Sequence, residues 1–174
     1  VPDQICTLDG LAATLLSHYG KGVRIVDDTT ARIILSDILY QHQDELPLIL
    51  HHTPSAKTLQ EIQTLISVIL RREIKYPDCL EELQGEKSEQ IATVIHLYRK
   101  RLNDSSLVDA DTVLEWACGF LRDLPEGQAE KIMRNVIFYG LFEPLPLEKK
   151  LIRQILHITQ STEYYLPAGD DPAV

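Results

Sequence analysis

Two acidic pairs, Asp27-Asp28 and Asp170-Asp171, are the side chains of this chain best suited to holding a hard cation, and His51-His52 is its one adjacent pair of imidazoles. Neighbouring carboxylates also cap helices and shape turns, which is the expected use of both pairs. A small hydrolase using an acidic pair and a metal is the least favoured reading, and loss of an activity on replacing Asp27 or Asp28 without loss of folding would be needed to support it. The histidines have no HExxH pattern or nearby acidic partner to complete a zinc set. Cys6, Cys79 and Cys118 are far apart, odd in number and in no CxxC arrangement, so free thiols in a reducing compartment are expected. No GxSxG nucleophile elbow and no GxxxxGKS/T phosphate loop occurs; Gly20-Lys21-Gly22 lacks both the spacing and the following hydroxyl. The expectation is no metal, no cofactor and no autonomous nucleotide hydrolysis.

Binding chemistry is carried by three basic clusters: Arg71, Arg72 and Lys75; Arg99, Lys100 and Arg101; and Lys149, Lys150 and Arg153. They sit in an acidic background, 17 Lys and Arg against 26 Asp and Glu, for a net charge of -9. Phosphate neutralisation supplies most of the affinity in nucleic-acid binding, so this balance disfavours tight autonomous binding and leaves room only for a local patch.

The elements that must position these groups are mostly helical. Leu8, Leu11, Ala12, Leu15 and Leu16 predict a helix over 8–19, closed at Gly20-Lys21-Gly22, where glycine can take a left-handed C-cap conformation. Val23-Arg24-Ile25-Val26 is a short β-prone stretch, after which Asp27 caps a helix through Ala31, Ile34, Leu35, Ile38 and Leu39. Pro47 and Pro54 bracket a loop. Ser55 then caps a helix with Leu59, Ile62, Leu65, Ile66, Ile69 and Leu70 on one face, and Arg71 and Arg72 in its last turns complement the helix dipole. Pro77 and Gly85 bound a short polar segment, and a further helix from Ser88 carries Ile91, Val94, Ile95, Tyr98 and Leu102. Ser106-Leu107-Val108-Asp109 has the form of a capping box opening a helix along Val113, Leu114, Ala117, Cys118 and Leu121.

After Arg134 the pattern changes. Asn135-Val136-Ile137-Phe138-Tyr139-Gly140 is a continuous apolar, β-branched run that suits a buried strand of a parallel sheet. Pro146 stands at a helix N1 position ahead of Leu147, Leu151, Ile152, Ile155 and Leu156, and 162–166 is a second β-prone run. Strand, helix and strand at this spacing make a β-α-β unit, which cannot by itself cover both faces of its sheet. The fold class expected is mainly α, a helical bundle with a small C-terminal β-α-β piece, divided into residues 1–134 and 135–174. With 174 residues and 44% hydrophobic side chains the chain can bury a sizeable core. No apolar run reaches the roughly 18 residues that span a bilayer, and no signal-peptide pattern opens the chain, so a cytoplasmic protein without membrane contact is expected.

The order of segments resembles a known family. Cys6-Thr7-Leu8-Asp9-Gly10-Leu11-Ala12 with His18-Tyr19-Gly20 is similar to the "TFHxFA…LL…yG" stretch of UvrD/Rep-like superfamily I DNA helicases. Val26-Asp27-Asp28 through Ile34 resembles the "ilDdxdqxxll" segment that follows. Tyr98 to Leu102 with Leu107 to Leu114 resembles "Yxxxl…lvDFdDll", the return helix of the helical insertion subdomain. Val136 to Pro144 with Leu145-Pro146-Leu147-Glu148 occupies the place of the Walker B strand, in the "vDGFxdFtplE" form of AddB-type helicase-nuclease subunits. These matches span nearly the whole chain.

The departures shape what the resemblance implies. Tyr139 stands where the family places its magnesium-holding aspartate, and Gly140 where an active motor has its catalytic glutamate, with Glu143 three residues on. A phenol does not replace a carboxylate toward a hard cation. Asp9 replaces the histidine of "TFH" and would repel phosphate. The resemblance thus implies a non-catalytic segment of an inactivated helicase-nuclease subunit that helps guide or recognise single-stranded or duplex DNA in recombinational repair. Its other partner would be the remainder of the same polypeptide or complex. Thr7, Arg71, Arg72, Arg99 and Arg101 are the candidate DNA contacts, weak in isolation. The alternative is a helical protein-protein interaction module without a nucleic-acid role, which the charge of -9 favours.

Overall fold

The computed structural model describes residues 5–20, 24–49, 54–74, 85–125, 128 and 132–165. Helices α1 (Leu8–Tyr19), α2 (Asp28–Gln41), α3 (Ala56–Arg71), α4 (Glu86–Asp104), α5 (Ala110–Arg122) and α6 (Pro146–Ile158) dominate. A short 3-10 turn, Gln43–Glu45, follows α2. Two parallel two-stranded sheets complete the fold: β1 (Arg24–Ile25) beside β2 (Leu107–Val108), and β3 (Asn135–Tyr139) beside β4 (Ser161–Tyr165). No helix among the described residues is long and apolar enough to cross a membrane.

Polar side chains fix where the helices begin. The Thr7 hydroxyl accepts from Gly10 N (3.1 Å), the Asp27 carboxylate from Thr30 N (2.6 Å) and the Ser55 hydroxyl from Thr58 N (3.1 Å). Each satisfies a backbone donor that the first helical turn leaves open. The acidic Asp27 is therefore a cap, as its sequence context predicts.

The apolar faces assemble into two cores that share no residue. In one, Ala31, Leu35, Ile38 and Leu39 of α2 pack with Ile66 and Ile69 of α3 and Val94, Ile95 and Tyr98 of α4. In the other, Ala12, Leu15 and Leu16 of α1 pack with Val113, Leu114 and Ala117 of α5, Phe138 of β3 and Leu151, Ile152 and Ile155 of α6. The cores therefore divide the chain as outer, inner and outer again, with α1 and α5 joined to the β3-α6-β4 unit rather than to α2–α4. Adjacent residues of β2 point to different cores, Leu107 to the inner and Val108 to the outer.

The mainly helical class, the helix over 8–19 and the parallel β-α-β unit agree with the sequence reading. Three local expectations change. Gly20 is extended (φ -97°), not left-handed; glycine is required because a Cβ would lie 2.8 Å from the Leu16 carbonyl oxygen. Ser106 is not the cap of α5: Leu107 and Val108 are held extended by pairing with β1, and Asp109 caps instead, accepting from Thr112 N at 2.8 Å. β3 is a strand but not a buried one. Helix α6 covers only one face, so Phe138 is buried while Ile137 and Tyr139 are 63% and 75% exposed. The His51-His52 loop, most of the 77–85 segment, Lys75, Cys79 and Asp170-Asp171 lie outside the described residues.

Candidate functional site

The densest polar constellation surrounds Arg71, the last residue of α3. Its Nε donates to Asp111 Oδ1 (2.6 Å), its Nη1 to Glu148 Oε1 (2.9 Å) and its Nη2 to Asp9 Oδ1 (2.8 Å). The three acceptors stand in the first turns of α5, α6 and α1. Three helix N-termini, each with about half a positive charge, thus converge on the carboxylates and offset the excess of three negative charges over one guanidinium. Asp111 also accepts from the Ser67 hydroxyl (3.1 Å), and the second oxygen of Glu148 caps α6 by accepting from Leu145 N (2.8 Å).

Burial works against the charge of Arg71, but its three carboxylates outweigh it and raise its pKa further. Asp111 moves above the ordinary carboxylate range because its own burial outweighs its bonds to Arg71 and Ser67. The two directions are compatible: one guanidinium gains from three anions, whereas each anion receives a share of one cation.

Two further ion pairs flank this cluster. Lys150 of α6 pairs with Glu73, which follows α3 in a left-handed conformation (φ 53°), and Arg99 of α4 pairs with Glu115 of α5 (2.9 Å). A cleft of about 200 Å³ lies here, lined by Ile69, Leu70, Glu73, Arg99, Asp111 and Glu115 among others. Every charged group lining it has an opposite charge as its partner, an arrangement that joins elements rather than presenting reactive groups.

The candidate DNA contacts are dispersed by the fold. Arg71 is turned inward, its side chain 18% exposed. Arg99 is engaged with Glu115, and Arg101 with Asp37 (3.2 Å) and Gln41 Oε1 (2.9 Å). Thr7 uses its hydroxyl as the α1 cap. Arg72, the C-cap of α3, is exposed, as is Lys100. At the strand end that resembles a Walker B motif, Tyr139 projects into solvent and Gly140 takes a left-handed turn (φ 67°), its N–H donating to the Tyr165 carbonyl (3.0 Å). Glu143, also left-handed (φ 42°), is exposed. No cluster of three or more His, Cys, Asp or Glu side chains suited to a metal occurs among the described residues.

Sequence reasoning misses Asp111 and Glu148 as members of the Arg71 cluster, and treats Asp9 only as a departure from a motif. The available signal is that all three stand within the first turn of a helix, where a carboxylate is favoured. The chain matches no protein-family model, and no curated protein is significantly similar to it.

Proposed function

We propose that the chain is a non-catalytic segment of an inactivated UvrD-like, AddB-type helicase-nuclease subunit, in which a helical insertion and a β-α-β frame help guide DNA during recombinational repair. The observation that carries this reading is topological. The α2–α4 core interrupts the outer core, leaving it through β1 and rejoining it through β2, ahead of the β3-α6-β4 unit. An insertion followed by a strand whose end lacks paired carboxylates is the segment order that the resemblance implies. The insertion in this reading is α2–α4, with α1 and α5 belonging to the frame.

Direct phosphate contact falls to the exposed Arg72 and Lys100, because Arg71, Arg99 and Arg101 are engaged by carboxylates. With few phosphates neutralised, binding by the chain alone should be weak and shallow in its salt dependence, a slope near -1 to -2 in log K against log salt. Fluorescence anisotropy with single-stranded and duplex DNA at low and moderate salt tests this. Salt-sensitive binding that Arg72→Glu/Lys100→Glu abolishes supports the proposal; no binding at low salt contradicts it. The second reading, a protein-protein interaction module, draws on the uncovered outer face of the β3-β4 sheet, where Ile137 and Tyr139 stand beside Glu163 and Tyr165. It predicts the contradicting result.

A further inference from the structure

Each core is apolar within itself, and the side-chain hydrogen bonds and ion pairs between them are made by charged groups, around a cleft that Ile69, Leu70 and Ile74 share with Leu147. Among the described residues, every side-chain bond that crosses between them involves an ionised group. They include Arg71 to Asp9, Asp111 and Glu148, Ser67 to Asp111, Glu73 to Lys150, and Arg99 to Glu115. Among the described residues the backbone crosses at β1 and β2, and those crossings lie side by side, with Val26 N donating to Val108 O (2.9 Å) beyond the paired strands. Two adjacent connections on one edge leave one axis about which the cores can turn.

We propose that the α2–α4 unit is an arm hinged on the β1-β2 pair, and that the Arg71 cluster is the latch that holds it closed against α1, α5 and α6. The energetics of the seam differ from those of a core. Separating packed apolar surfaces exposes area to water and recovers nothing. Separating a guanidinium from three carboxylates returns four ions to water, and the recovered hydration offsets much of the lost attraction. In the open state the three carboxylates keep their positions at helix N-termini, and Glu148 keeps its bond to Leu145 N, so none is stranded. The latch is also cooperative, because one side chain holds three helices and Arg71 must leave all three for the arm to move. Glu73 adds to this: a non-glycine residue in the left-handed region directs its carboxylate to Lys150 two residues beyond the Arg71 anchor. Opening widens the cleft between Ile69, Leu70, Glu73 and Glu115, which lies along the seam. This arm-and-latch reading does not depend on DNA contact.

Spin labels on cysteines placed at the exposed Lys57 of α3 and Arg153 of α6, in a chain with Cys6, Cys79 and Cys118 replaced, measure the distance across the seam by double electron-electron resonance. The parent chain is expected to give one narrow distance. Arg71→Gln, which leaves three carboxylates facing one another, is expected to retain helical circular dichroism and to add a longer distance in about a third of molecules or more. Asp9→Asn/Glu115→Gln leaves Arg71 its two more buried partners and is expected to fold and to widen the distribution less. A folded Arg71→Gln chain with the parent distance overturns the proposal. Should Arg71→Gln lose its fold, the Asp9→Asn/Glu115→Gln chain decides: widening supports the latch, and the parent distribution overturns it.

Discussion

Arg71 and Arg72 are neighbours of one type with opposite fates: the first is enclosed by Asp9, Asp111 and Glu148, and the second faces solvent. Replacing Arg71 with Met removes the one cation among three carboxylates, and breaking a buried pair from one side costs about 3–5 kcal/mol. Some water reaches this cluster, so the expected loss lies near the lower figure. Asp9→Asn removes the most exposed of the three acceptors and should cost about 0.5–1 kcal/mol. Urea unfolding of both variants measures the difference. Cys118 supplies a second prediction at this scale. Burial pushes its thiol up to about 11, with Lys150 opposing, so at pH 8 it should alkylate roughly 100-fold more slowly than an unperturbed thiol, read by mass spectrometry. Because the folded chain holds this proton longer than the unfolded one, stability should fall as pH climbs from the ordinary thiol range toward 11. The residue types of the Arg71 cluster are visible in the sequence, but its geometry is not. The partners lie 62, 40 and 77 residues away, and periodicity assigns an apolar face without saying which polar group at its margin turns inward.

Elements were more legible than contacts, because caps and periodicity are local. Asp27, Ser55 and Pro146 each mark a helix start where the fold has one, whereas the Thr7 cap of α1 is not read from the sequence. The exception is the start of α5, where a hydroxyl-x-x-carboxylate pattern at Ser106 competes with strand pairing at Leu107 and Val108, and the long-range pairing prevails. Accordingly, Asp109→Ala should cost about 1–2 kcal/mol and Ser106→Ala less than about 0.5 kcal/mol in thermal or urea unfolding. Glu73 makes a contrasting case. Its left-handed backbone costs about 1–2 kcal/mol relative to glycine, and its partly exposed pair with Lys150 returns about 0.5 kcal/mol or less. Glu73→Gly is therefore expected to raise the urea midpoint. The β-α-β unit was readable from spacing alone, but the exposure of Ile137 and Tyr139 follows from a sheet that has two strands among the described residues, which spacing does not count.

At the scale of the whole molecule, the α2–α4 unit and the unit of α1, α5 and α6 were not separable from the sequence, because α1 and α5 have the same apolar periodicity as α2–α4. Which stripe packs on which is decided by the return of the chain through β2, a contact between residues 24–25 and 107–108. The resulting division separates Arg71 and Arg99, which join the cores, from Arg101, which ties α4 to α2 within one of them, and from Arg72, which faces outward. The measurement that tests this most directly compares Arg71→Lys with Arg72→Glu/Lys100→Glu, each followed by urea unfolding and by DNA anisotropy across a salt series. Arg71→Lys is predicted to lower the unfolding midpoint and leave the DNA salt slope unchanged; Arg72→Glu/Lys100→Glu is predicted to abolish salt-sensitive DNA binding and to lower stability by only about 0.3–1 kcal/mol, the cost of a reversed charge at the end of α3. An Arg71→Lys chain of parent stability that loses DNA binding, or an Arg72→Glu/Lys100→Glu chain that binds DNA as the parent does, contradicts the account.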